Sequence, residues 1–289
     1  MKRRTFIGTS AAASVGLIAG KTSNAMPSKN TLINELKGNI NHSVCKWCYG
    51  KIPLEEFLKN LNDLGVKAID LIGPADWPTL KKYDIHCSMC SGAGLGIEKG
   101  WNDPSLHEEL IDDYLQMIPQ VSEAGYTNLI CFSGNRNGMD DAVGLKNCVE
   151  GLKKIMPLAE EHGVMIQMEL LNSKVNHKDY MCDHTEWGVA LCKEIGSDNF
   201  KLLYDIYHMQ IMEGDIIRNI QDYHQYFGHY HTGGNPGRNE INETQELFYP
   251  AIMKAIVATG FKGHVAQEFI PTWDDQIAAL KEGVTICDV

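Results

Sequence analysis

The sequence predicts a single-domain α/β protein, a closed (β/α)₈ TIM barrel. Three observations predict it: a repeated unit of amphipathic helix, glycine and short apolar run; the spacing of those units; and the polar or charged residue that closes each late run. In the first clear unit, helix 53–64 places Leu54, Phe57, Leu58, Leu61 and Leu64 on one face, before Gly65 and the run 66–71. Helix 105–124 repeats the stripe with Leu110, Ile111, Tyr114, Leu115, Ile118 and Val121, ends at Gly125, and leads into run 128–132. Helix 139–162 carries Leu145, Val149, Leu152, Met156 and Ala159, stops at Gly163, and precedes run 164–170. Gly196 and Gly260 introduce runs 200–204 and 264–269 in the same way, each glycine suiting a left-handed helix end.

Spacing supplies the rest. Consecutive glycines at 125, 163 and 196 lie roughly 35 residues apart, one strand–helix unit each. The intervals from Gly65 to Gly125 and from Gly196 to Gly260 are nearly twice as long, so each hides a further strand, at 85–89 and 227–232. With a first strand at 42–47, eight strands and their helices occupy residues 41–289, close to the length of about 250 residues usual for this barrel. The competing arrangement is an open doubly wound sheet, but no Gly-x-Gly-x-x-Gly follows the first strand. No linker or second domain is visible after residue 40.

Residues 1–25 read as a targeting segment. Lys2-Arg3-Arg4-Thr5-Phe6 leads into a small, apolar run from Ala11 to Gly20, and Ser23-Asn24-Ala25 offers a cleavage site. The Arg pair before Phe6 resembles a twin-arginine export signal, which implies a periplasmic protein translocated after folding. Residues 26–40 would be a lead-in to the barrel. The net charge of −11 disfavours nucleic acid as a partner, and loss of Lys2, Arg3, Arg4 and Lys21 would make it more negative. With the signal removed, no membrane association is expected; self-association is left open. Cys45-x-x-Cys48 and Cys87-x-x-Cys90 have zinc-finger spacing, but each lies on a predicted strand, where residues i and i+3 face opposite sides. They are read as ordinary thiols. The glycine-rich stretch 90–104 is long enough to form a lid.

In a TIM barrel the reacting groups gather where strands end. Strand five ends at Glu169, strand six at Asp205, strand seven at His231 and strand eight at Glu268. Each alone has an ordinary explanation: a carboxylate facing solvent, or a histidine satisfied in the core. Together, three carboxylates and an imidazole on adjacent strands would repel in a dry cavity unless a cation sat among them. Such a set suits one divalent ion: Mn, Mg, Co or Zn.

Specific segments then carry a resemblance. Tyr204-Asp205-Ile206-Tyr207-His208-Met209-Gln210, His229-Tyr230-His231-Thr232-Gly233-Gly234-Asn235-Pro236-Gly237-Arg238, Glu268-Phe269-Ile270-Pro271 and, more weakly, Gly134-Asn135-Arg136 resemble the hydroxypyruvate isomerases. These belong to the wider xylose isomerase-like barrels, with ketose 3-epimerases and inosose dehydratases. The resemblance implies metal ligands at Glu169, Asp205, His231 and Glu268, an acid/base pair in Glu169 and Glu268, and substrate contacts from His208 and Arg238. It implies a small sugar or hydroxy-keto acid as substrate, isomerised or epimerised by proton transfer through an enediolate that the metal stabilises. Two departures stand out. Histidine at position 231 is the epimerase choice where hydroxypyruvate isomerases often carry glutamine, and the first two strands lack the expected segments, with Val44-Cys45-Lys46-Trp47-Cys48 at strand one and Asp70 in strand two. A keto-sugar dehydratase and a non-catalytic sugar-binding barrel remain as alternatives. An endonuclease IV-like nuclease would need further histidines near Asp70-Leu71-Ile72 and Ser88-Met89-Cys90.

Overall fold

Eight short strands pair in parallel into a ring. They are β1 (Asn41–Val44), β2 (Ala68–Ile72), β3 (His86–Cys90), β4 (Asn128–Cys131), β5 (Met165–Glu169), β6 (Phe200–Asp205), β7 (Phe227–Thr232) and β8 (His264–Gln267). The spatial order is β1-β8-β7-β6-β5-β4-β3-β2, and a parallel bridge between Cys45 and Asp70 joins the two ends. The structure, a computed structural model, describes residues 35–289, so the expected signal peptide and most of the lead-in lie outside the described residues. Ten α-helices are described around the barrel: α1 (Leu54–Asp63), α2 (Trp77–Lys82), α3 (His107–Glu123), α4 (Asp141–Leu152), α5 (Met156–His162), α6 (Thr185–Ile195), α7 (Ile206–Met212), α8 (Ile216–Tyr223), α9 (Tyr249–Ala258) and α10 (Gln276–Cys287).

The alternation of the strands sorts the core into two parts. Outward residues such as Leu129, Ile166, Met168, Leu202 and Tyr230 pack against the helices. Met89, Ile130 and Leu203 form a small separate apolar cluster inside the barrel. The rest of the interior is polar: Ser43, Asp70, Ser88, Gln167, His229 and His231 are all buried. Where barrel interiors are ordinarily filled by layers of branched apolar side chains, this one has hydrogen-bonded groups.

Four expectations are corrected. The first strand ends at Val44, and Lys46–Tyr49 turn into a 3₁₀ helix that swings Trp47 over the barrel mouth. Helix 139–162 is two helices, because Pro157 at the start of α5 can neither donate a hydrogen bond to Lys153 nor pass its carbonyl. Cys87 and Cys90 do not face opposite sides: an extra residue in β3, pairing Ile69 with Cys87 but Asp70 with Met89, brings their sulfurs to 3.5 Å. The stretch 90–104 is not a free lid over its second half. Asn135 N–H donates to Glu98, and Trp101 and Asn102 N–H donate to Phe132 and Ser133. Gly100 and Gly134 permit this close approach; a Cβ on Gly100 would lie 2.4 Å from the backbone of Gly134.

Candidate metal and active site

The strand pattern that makes the barrel also aims the site. On β7, His229 and His231 are two residues apart and therefore both point inward, one layer above the other. The neighbouring strands bring Glu169, Asp205 and Glu268 to the upper layer, so that one ligand atom from each of the four residues lies within 4.8 Å of the others. His231 Nδ1 stands 3.2 Å from Glu169 Oε1, 2.7 Å from Glu268 Oε2 and 3.9 Å from Asp205 Oδ2. All four side chains are buried.

The electrostatics of this cluster are unbalanced. Burial, with the charge of Glu268 adding to it, pushes the carboxyls of Glu169 and Asp205 above the usual carboxylate range. Burial acts the same way on Glu268, but Arg238 and His231 more than reverse it and hold that group ionised. Glu169 Oε1, Asp205 Oδ2 and His231 Nδ1 are buried and have no hydrogen-bond partner among the described residues. Burial opposes a charge on His231, but its acidic neighbours outweigh it and raise the pKa, so the cluster gathers protons where it lacks hydrogen bonds. A small divalent cation in place of those protons satisfies such an arrangement, and the residues fit the expected metal. An O₃N donor set around such an ion would leave coordination positions open.

The two expected substrate contacts sit against this cluster in different ways. His208, fully buried in the first turn of α7, has Nε2 3.7 Å from Asp205 Oδ2. Its Nδ1 accepts from the backbone and side-chain amides of Asn172, at 3.1 and 2.6 Å, so Nε2 carries the hydrogen and points into the site. Burial and Arg238 push its pKa well below that of free histidine, which keeps the ring neutral. Asp205 in turn caps α7, accepting the His208 N–H at 2.9 Å. Arg238 reaches the site from a loop that starts after β7; its backbone is left-handed, at φ +59°. The guanidinium lies between Trp47 and Tyr207, 5.1 and 5.5 Å from their ring centres. Its Nη2 donates to Glu268 Oε2 at 2.6 Å and lies 3.5 Å from Asp205 Oδ2, while Nε has no partner. The guanidinium expected to contact substrate is thus already turned toward the site's own carboxylates.

Several participants escaped the sequence reading. Trp47 is 45% exposed, yet its indole N–H donates to Glu268 Oε1 at 2.8 Å. Below the cluster, Asp70 bonds both His229 and His231. Burial opposes its charge, but the two histidines outweigh it and hold Asp70 well below the usual carboxylate range. An aspartate centred in an otherwise apolar strand, with His-x-His on another, was the signal available. Gly134-Asn135-Arg136 proves to be architectural: Arg136 pairs with Asp141 and Asp183 and bonds the backbone of Tyr180. At the ends of β2 and β3, where a three-zinc nuclease needs histidines, stand Ile72 and Cys90.

Residues 50–285 match the protein family described as xylose isomerase-like TIM barrel. A Mus musculus protein provisionally named hydroxypyruvate isomerase is 27% identical over 248 residues, covering 79% of this chain and 88% of that protein. The Homo sapiens protein of the same name is 28% identical over 126 residues, 44% of this chain; here the match spans only about half of the relative's length, 46%. Hydroxypyruvate isomerase of Escherichia coli (strain K12) is 27% identical over 172 residues, 58% of this chain and 65% of that protein. Among solved structures, an AP endonuclease, family 2, from Brucella melitensis superposes with a TM-score of 0.73 at 22% identity, over 84% of this chain and 95% of that one. D-psicose 3-epimerase with D-tagatose from Clostridium cellulolyticum H10 gives 0.68 at 18% identity, over 86% and 99%. At such identities the two structures speak for the fold alone.

Proposed function

The chain belongs to the xylose isomerase-like TIM-barrel family, and from that premise we propose that it is a divalent-metal-dependent isomerase or epimerase acting on a small hydroxy-carbonyl compound, a ketose or a hydroxypyruvate-like acid. One observation carries the reading: Glu169, Asp205, His231 and Glu268 converge, buried, with three of their polar atoms unpartnered. The relatives' names point to the same chemistry.

Each residue has a task in this reading. Glu169, Asp205, His231 and Glu268 would hold the ion. Bound there, it would supply Lewis-acid stabilisation of the negative charge that builds on two adjacent substrate oxygens. Glu169 and Glu268 form the acid/base pair: one carboxylate takes the proton from carbon, and the other returns it to the adjacent carbon or the opposite face. Trp47 and Arg238 fix the direction of Glu268 through its two oxygens. The neutral His208 offers an N–H to a substrate oxygen. Tyr207 and Trp47 flank Arg238 at the wall of the mouth and help to keep water from it.

The test is metal content and proton exchange in protein lacking residues 1–25. About one equivalent of Mn, Mg, Co or Zn per chain is expected, lost in the Glu169→Gln/Glu268→Gln double variant, with deuterium entering hydroxypyruvate or a ketose from heavy water. No bound metal, and no metal-dependent rise in melting temperature, would sink the reading. Residues 1–25 we read as a twin-arginine-type signal leading to the periplasm. Replacing Arg3 and Arg4 with lysine should leave the protein in the cytoplasmic fraction; unchanged export would contradict it. Among the described residues no helix is long and apolar enough to cross a membrane.

A further inference from the structure

Asp70 takes no part in the chemistry above, yet both its oxygens are fully engaged inside the barrel. Its side chain is entirely buried. Oδ1 accepts hydroxyl hydrogens from Ser43, at 2.5 Å, and from Ser88, and the two hydroxyls also touch each other. Oδ2 lies 2.5 Å from His229 Nε2 and 3.1 Å from His231 Nε2. With Oδ1 occupied by the two hydroxyls, Oδ2 is the oxygen that accepts from the ring nitrogens, which places a hydrogen on Nε2 of His231. Nδ1 is the atom facing Glu169, Asp205 and Glu268, so with Nε2–H held by Asp70 a cation among those carboxylates would take the place of any proton on Nδ1 and meet its lone pair.

We propose that Asp70 is the positioning residue of the metal centre: by accepting Nε2–H it sets the tautomer and plane of His231 so that Nδ1 is presented to the cation, while Ser43, Ser88 and His229 hold the carboxylate in place. The proposal rests on the metal reading given above. It also accounts for the polar middle layer of the barrel, which a purely packed core would not need. Cys45 Sγ, 3.7 Å from His231 Nε2, completes a second group of potential ligands with Asp70 and His231. An ion there would have to displace the hydrogen bonds that already fill Asp70, so Asp70 acts through His231 and does not ligate.

Titration of the metal-free protein with Co²⁺, followed by its visible absorption, tests this. Asp70→Asn keeps the shape and an acceptor oxygen but loses the charge; Asp70→Ala loses the acceptor. The expected outcome is a dissociation constant about 10-fold weaker for Asp70→Asn and about 100-fold weaker for Asp70→Ala, with altered absorption bands. Ser88→Ala, which leaves the carboxylate but removes one of its supports, should weaken binding by about threefold and serves if the Asp70 variants do not fold. Nitrogen-15 spectra of histidine-labelled, zinc-loaded wild type should show His231 protonated at Nε2. If the folded variants bind Co²⁺ as the wild type does, even at a lower melting temperature, Asp70 is only a structural anchor and this proposal fails while the metal reading stands. If the wild type binds no Co²⁺, the metal reading fails and this one with it. Two equivalents, with a thiolate-to-cobalt band lost in Cys45→Ser, would make Asp70 a ligand and overturn the positioning role.

Discussion

Glu268, proposed as one of the acid/base pair, shows at the scale of one residue how both oxygens of a buried carboxylate are held. Trp47 Nε1 holds Oε1, and Arg238 Nη2 holds Oε2. Glu268→Gln keeps the volume but removes the base, so turnover should fall by about 10²- to 10⁴-fold, read as the rate of deuterium uptake by substrate. A smaller loss would place the base elsewhere. Trp47→Phe tests the indole bond alone, since a phenyl ring can still lie over Arg238. We expect kcat to drop by about 3- to 10-fold with KM little changed; a change in KM alone would make Trp47 a wall for substrate. The metal-site candidates were legible because a charged residue ending an apolar strand is conspicuous and strand alternation fixes its direction. Trp47 and Asp70 were legible only as residues without a task, because the partners that tie them to the site, Glu268 and the two histidines of β7, lie more than 150 positions away in the chain.

At the scale of elements, the differences from expectation all have local causes that act through neighbours. Pro157 divides the predicted helix 139–162, while Pro119 sits inside α3 without ending it. The extra residue in β3 redirects Cys87 and Cys90 and, by the same shift, lets Ser88 face Asp70. The loop before α3 is held to the end of β4 by the contact of Gly100 with Gly134. Gly100→Ala would force a methyl group into backbone at 2.4 Å. It should destabilise the fold by about 2–4 kcal/mol in urea unfolding. A variant as stable as the wild type would show that the loop can move away, restoring the lid expected from its glycines.

Across the whole molecule, ligand binding and proton binding should both report on the barrel. Metal at 100 times its dissociation constant adds about 2.7 kcal/mol, a rise of roughly 5–10 °C in melting temperature that a chelator should reverse. Beneath the site, His264 at the barrel floor has its pKa lowered to about 4 from 6.5 by burial and by His229, against the pull of Asp70. A histidine with a depressed folded pKa contributes stability that is complete above its unfolded value and is lost as pH falls toward its folded one. The window is therefore roughly pH 6.5 down to 4, and the contribution is of order 3 kcal/mol. His264→Gln should flatten the acid side of the melting-temperature profile by that amount; an unchanged slope would mean the ring is hydrated and titrates normally.

The sequence by itself determined the eightfold alternation, the parallel barrel and the four strand ends that meet at its mouth, because periodicity and spacing are properties of a chain read in order. The tertiary structure alone decided what supports them: Trp47 on Glu268, Arg238 turned inward between two rings, Asp70 beneath His231. Those relations join residues from opposite sides of a closed ring. Distance along the chain says nothing about them until the strands have paired and the register has set which side chains share a layer.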